Sequence, residues 1–133
     1  MASHFKFYFY YMNSPKHTLV LGASDNPARY SYLAVNRLRN AGHPVKAIGR
    51  KHTLIADVPV ETEKKQWMDI HTVTLYMSSE HQKEYYDYIL ALDPDRIIFN
   101  PGAENLELEI LAQDKGITTM NACTLVMLST GQY

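Results

Sequence analysis

The amino-acid sequence predicts an α/β fold, a mostly parallel sheet with helices on both faces. Three observations predict it. Short aliphatic and β-branched runs, "TLVL", "VKAIG", "HTVTLYM", "RIIFN" and "ITTMN", alternate with segments of helical spacing. Gly, Pro or Asp punctuates each return from helix to strand. The 133 residues contain no internal repeat, linker or low-complexity stretch. One domain over residues 14–133 is therefore expected, with residues 1–13 as an N-terminal arm.

Taken in order, Thr18–Leu21 is a short buried strand ended by Gly22. Asn26 followed by Pro27 reads as an N-cap with proline at the first helical position. Tyr30, Leu33, Ala34, Leu38 and Ala41 then recur at helical spacing, and Gly42 and Pro44 close the helix. "VKAIG" is the second strand. From Lys51 to Asp69 the periodicity is weak; "DVPV" reads as an edge strand, because Pro59 is tolerated at an edge or a strand start. "ETEKKQW" reads as a helical turn, and residues 71–77 as a strand. Ser79 with Gln82 has the form of a capping box. It opens a helix whose face carries His81, Tyr85, Tyr88, Ile89 and Leu92 and which Pro94 breaks. "RIIFN" is a buried strand. After the "PGAEN" turn, Leu106, Ile110 and Leu111 mark a helix closed by Gly116. "ITTMN" is the last strand, and "TLVML" the terminal helix.

Right-handed crossovers restrict these elements to a doubly wound, Rossmann-like sheet of expected order 3-2-1-4-5-6, with Val58–Val60 counted third. Such a sheet binds ligands at the carboxyl ends of its strands, where the order reverses. Four polar or glycine-bearing loops should meet there: Gly22–Arg29, Gly49–His52, Met77–Glu80 and Asn100–Asn105. The first feeds a helix N-terminus, an anion site through free amides and the helix dipole. Ser24 and Asn26 add a hydroxyl and an amide, and Gly22 permits close backbone approach. Dinucleotide folds normally carry three glycines in this turn and an acid after the second strand. This chain carries Gly22 alone, and follows Gly49 with Arg50, Lys51 and His52. A basic pair at that place suits a ribose bearing a phosphate, as in NADP or coenzyme A. As a plain solvated pair it would suit a module that binds no nucleotide.

Bulk properties exclude other classes. The net charge of -1 offers no general attraction to nucleic acid or anionic membrane. No apolar run is long enough to cross a bilayer. The single cysteine, Cys123, allows no disulfide within the chain, so a reducing cytoplasm is the expected location. The N-terminal "FKFYFYY" has high β-propensity and shows no signal-peptide cleavage site. It suggests an ordered arm at a homo-oligomer contact, or an extension upstream of an alternative start at Met12.

The motifs also resemble a known family. "VLGASDNPARYSYLAV", "VKAIGRK", "DVPV", "NPGAEN" and the final "MNAC" are together similar to the small, single-domain CoA-binding proteins, which are themselves similar to the nucleotide domain of the succinyl-CoA synthetase α subunit. The likeness spans about residues 16–130, and "GAS-x-NP" is its most specific word. It implies CoA or an acyl-CoA held across the sheet. The amides of Ala23 and Ser24 and the Ser24 hydroxyl would take the pyrophosphate. Lys51, helped by Arg50, would take the 3′-phosphate or adenosine end. The Met77–Ser79 turn, with Met77 and Ser78, would line the adenine or pantetheine groove, and Pro101 and Gly102 would face pantetheine. Arg29 and Ser31, in the same first stretch, complete the candidate set. The chain departs from the family at Ser78–Ser79, where members often have proline, and at Asn100-Pro101-Gly102, where many have Gln-x-Gly.

The residues point to no catalytic or metal centre. His17 and His71 open strands, His43 lies in a turn and His81 in a first helical turn; no pair has metal-ligand spacing. His52 alone is placed near the crevice. Cys123 follows the last strand, either as a thiol able to form a mixed disulfide with CoA or as a small buried hydrophobe. Glu104, Glu107 and Glu109 suit the helix dipole. Tyr85, Tyr86 and Tyr88 suit a core or interface. The expectation is a non-catalytic CoA-binding domain; an NADP-linked oxidoreductase or sensor, or a module without a ligand, are the alternatives.

Overall fold

A computed structural model describes residues 14–133; the aromatic arm, with its expected strand and oligomer contact, lies outside the described residues. Seven strands form one sheet: β1 (Thr18–Ala23), β2 (Val45–Gly49), β3 (Thr53–Ile55), β4 (Val58–Glu61), β5 (Thr72–Leu75), β6 (Arg96–Phe99) and β7 (Thr118–Asn121). Among the described residues five α-helices accompany them: α1 (Tyr30–Asn40), α2 (Ser79–Gln82), α3 (Tyr86–Leu92), α4 (Leu106–Asp114) and α5 (Thr124–Ser129).

The order is β3-β4-β2-β1-β5-β6-β7. All pairs are parallel except β3 with β4. The expected order is present, with one strand added outside it. β4 is the "DVPV" strand, but it is not the edge: Thr53–Ile55 turns back through Ala56 (φ 53°) and pairs antiparallel along it. Pro59 is accommodated because β4 pairs with β2 only from Val60 onward. The bidentate Arg39–Asp57 pair, 2.8 and 2.9 Å, ties α1 to this hairpin. "ETEKKQW" forms no helix.

Alternation along β1 builds two cores. Leu19 and Leu21 join Val73, Leu75, Ile97, Phe99, Ile89 and Leu108 on the face covered by α3 and α4. Val20 joins Val35, Leu38, Ala47 and Val60 on the face covered by α1, with Leu128 of α5 beside them. Burial on both faces explains why these strands read as continuous apolar runs.

Several helix boundaries differ from the expected ones. α1 begins at Tyr30, because Asn26 and Pro27 form a turn before it: the Asn26 side chain accepts from Ala28 N at 3.0 Å. Ser31 and Val35 are buried there, while Tyr30 and Ala41 face solvent. The single helix expected from Ser79 is two, joined by a 3₁₀ turn at Lys83–Tyr85, and its cap carries no side-chain hydrogen bond. In α4 the inward residues are Leu108 and Ala112; Leu106, Ile110 and Leu111 are exposed. Thr18, Thr72, Arg96 and Thr118 lie in register across β1, β5, β6 and β7, so the strands start level. The loops that follow them consequently meet along one rim.

Candidate functional site

The chain leaves β1 in one direction to form β2 and returns on the other side as β5, which opens the crevice between their carboxyl ends. Gly22 sits in a bulge where the β1–β2 register shifts, with φ +98°. A Cβ there would lie 3.0 Å from the Tyr76 carbonyl carbon. The missing side chain thus makes room for the end of β5. Gly49, whose need sequence reasoning missed, is more crowded: a Cβ would lie 2.2 Å from the Ala23 carbonyl oxygen.

The first loop is largely self-bonded. The Ser24 amide donates to Ser31 Oγ at 3.1 Å, and Ser24 Oγ accepts from the Asn26 amide at 3.1 Å. Ser31 and Asn26 therefore shape the loop, and the Ser24 amide already has an acceptor. What the loop offers outward is the Ser24 hydroxyl proton and the first-turn amides of Tyr30, Ser31 and Tyr32, since Leu33 is the first to donate back, to Arg29 O at 3.3 Å. Ala23 is buried in β1; Arg29 is exposed at the N-cap of α1.

The cations stand beside this loop. Lys51 and Arg50 are exposed after β2, and Lys51 Nζ lies 3.2 Å from Asp25 Oδ2. Thr53 Oγ1 donates to the same oxygen at 2.8 Å. The Thr53 hydroxyl and then Lys51 hold the Asp25 carboxyl below its ordinary range. Asp25 occupies the open position of "GAS-x-NP", and nothing in its local sequence marks it as a partner of β3. His52 is engaged by its neighbours, with Nε2 3.1 Å from Thr62 Oγ1 and Nδ1 3.7 Å from Glu61 Oε2.

The opposite wall is built by buried amides. Gln82 Nε2 donates to Met77 O at 2.9 Å and to Ala103 O at 2.7 Å. Asn105 Nδ2 donates to Gln82 Oε1 at 2.9 Å and to Tyr86 Oη at 2.8 Å, while Asn105 Oδ1 caps α4 through Leu108 N. Asn100 Nδ2 donates to Thr74 Oγ1 and Leu75 O, and its Oδ1 accepts from Thr124 N. The turns after β5 and β6 are thereby held as one unit. Met77 is half-buried; Ser78 is exposed and meets His81 Nδ1 at 3.1 Å. Pro101 and Gly102 are exposed on the turn, where the Gly102 amide donates to Glu104 at 2.7 Å. Cys123, half-buried, precedes α5. Sequence reading saw Gln82 only as a cap and Asn105 only as a turn residue; their lateral bonds join residues about twenty positions apart.

The CoA binding domain family matches residues 16–129. The chain belongs to that family. Among solved structures, an uncharacterized protein is 43% identical with a TM-score of 0.88, over 90% of this chain and 99% of that one. A protein from Thermus thermophilus, cell-free ID.343, has 18% identity and a TM-score of 0.79 over 96% of this chain and 98% of that chain. A hypothetical protein from Pyrococcus horikoshii OT3 has 18% identity and a TM-score of 0.80 over 94% and 89% respectively. These last two show the shared fold. No curated protein matches the chain. Among the described residues no helix is long and apolar enough to cross a membrane, and no group of three or more His, Cys, Asp or Glu side chains could hold a metal. In this CoA binding domain a separate cavity of about 440 Å³ lies at the amino ends of β5 and β6, lined by Asp69, Ile70, His71, Leu92, Asp93 and Asp95. Three aspartates there oppose a polyanionic ligand. A second cavity, of about 490 Å³, is lined by Gln66, Trp67, Met68, Tyr88, Ala91 and Leu92, and neither cavity includes a residue of the carboxyl-end loops.

Proposed function

We infer that the chain binds coenzyme A or an acyl-CoA reversibly across the carboxyl ends of β1, β2, β5 and β6, without catalysing a reaction on it. One observation carries this reading: the Asp25–Lys51 contact of 3.2 Å brings the first loop and the cationic end of β2 side by side. A helix N-terminus and a lysine–arginine pair then share one rim, as a ligand with a pyrophosphate and a ribose phosphate requires. The Ser24 hydroxyl and the first-turn amides of α1 would take the pyrophosphate. Lys51 and Arg50 would take the 3′-phosphate. The wall bearing Met77, Ser78, Pro101 and Gly102 would receive pantetheine. Membership of the CoA binding domain family supports the ligand class.

Thermal unfolding with CoA, dephospho-CoA, NADP and NAD, each added separately, tests it. A ligand that binds only the folded chain stabilises it by about 2.7 kcal/mol at a hundredfold excess over Kd. A rise in Tm with CoA is expected, and Lys51→Glu should weaken CoA more than dephospho-CoA. No rise with CoA, or a rise with NADP alone, would overturn the reading.

A further inference from the structure

We propose that Asp25 sets how the site discriminates between adenine ligands with and without a ribose phosphate, as a fixed negative charge beside the phosphate-binding lysine that weakens the hold on that phosphate. The inference rests on the CoA reading above and adds a selectivity residue to it.

Asp25 reaches this place from the first loop, so the end of β2 alone does not reveal it. Thr53 Oγ1, on the β3 strand, and Lys51 Nζ converge on the same carboxylate oxygen, at 2.8 and 3.2 Å. The Asp25 side chain is 32% exposed and that of Lys51 is 69% exposed. An ammonium has three donors, so Lys51 can meet an incoming phosphate without releasing Asp25. The phosphate would then lie within a few ångströms of a carboxylate that the strand-borne threonine holds in place. A second carboxylate stands nearby: Glu61 lies 3.7 Å from His52, the residue after Arg50 and Lys51 in sequence. A rim that reads as basic in sequence, with Arg29, Arg50 and Lys51, thus also carries two acids. A bare ribose hydroxyl carries no charge to be repelled. In dinucleotide folds the acid that accepts from such hydroxyls follows the second strand, whereas Asp25 comes to the end of β2 from the first loop.

Isothermal titration of CoA and dephospho-CoA into the wild-type chain, Asp25→Asn and Asp25→Ser at low salt provides the test. Both variants should bind CoA about fivefold or more tighter than wild type, with dephospho-CoA changed by less than about twofold. The gain should shrink at high salt, because it is electrostatic. A parallel change for both ligands would make Asp25 a ribose acceptor or a loop support and overturn the proposal. So would weaker CoA binding, which would make Asp25 the residue that orients Lys51, or no change at all. Two variants with melting temperatures near wild type separate these outcomes from misfolding. If wild type binds CoA and the ratio does not move, only this inference falls. If no protein binds either ligand, the CoA reading falls and this one with it.

Discussion

Two glycines show how single residues decide the site. Gly22 was legible as a turn residue from its place after an aliphatic run, but its requirement comes from Tyr76, more than fifty positions away. Gly49 was legible only as part of a loop, and the 2.2 Å approach to the Ala23 carbonyl exists only once β1 and β2 pair. Gly49→Ala should therefore cost about 2–3 kcal/mol, since the clash is with backbone that cannot turn aside. Gly102→Ala meets nothing within 4 Å and bears only its φ of +92°, so it should cost about 1 kcal/mol. Urea midpoints of the two variants check the difference; equal midpoints would remove the packing account. Lys51 carries the same lesson for charge. Its cation was visible in sequence, and its partner was not, because Asp25 and Lys51 are adjacent only across two loops.

The helices were legible as elements and misread as faces. α4 has Leu106, Leu108, Ile110, Leu111 and Ala112, enough apolar residues for two competing stripes. The sheet selects the one with Leu108 and Ala112, because Asn105 caps the helix and anchors its first turn to Gln82. Leu108, fully buried, should lose about 2–5 kcal/mol on truncation to alanine. Leu106, 69% exposed, should lose less than about 0.5 kcal/mol. Thermal denaturation of the two variants decides which stripe faces the core. The start of α1 was misplaced for a related reason. Asn26-Pro27 has the form of a helix start, yet the same residues also make a turn, and Ser31 Oγ draws the Ser24 amide inward so that regular helix begins only at Tyr30.

At the scale of the whole molecule, the two ends of the sheet are chemically different. The carboxyl ends bear the candidate site, whereas the amino ends hold the buried His43 and the half-buried His71. His43 is 7% exposed, and its Nδ1 accepts the Lys16 amide at 2.9 Å, which requires that nitrogen to be unprotonated. Burial, with Lys16 and Arg96 nearby, lowers its pKa to about 4. His71 is shifted the same way by burial, against the opposing charge of Asp95. A histidine depressed on folding binds more protons when unfolded, so its contribution is complete above about pH 6.5 and is lost as pH falls toward 4. Stability should fall by up to about 1.4 kcal/mol per pH unit within that window. His43→Asn should flatten the slope, as read from urea midpoints between pH 7 and pH 4.5; an unchanged slope would assign the effect to other groups.

The sequence by itself determined the class of fold, the strand order from Val58–Val60 through Thr118–Asn121, the rim on which the loops meet and the family. The fold class, strand order and rim follow from local spacing and chain connectivity, since alternating apolar runs and helices with right-handed crossovers leave few arrangements; the family was legible through the resemblance of "GAS-x-NP" and its companion motifs. Only the tertiary structure decided the extra β3 edge, the inward stripe of α4, the Gln82–Asn105 bridge between the turns and the pairing of Lys51 with Asp25. Each depends on atoms far apart in sequence, and a packed sheet brings them within hydrogen-bonding distance only after every strand has found its neighbour.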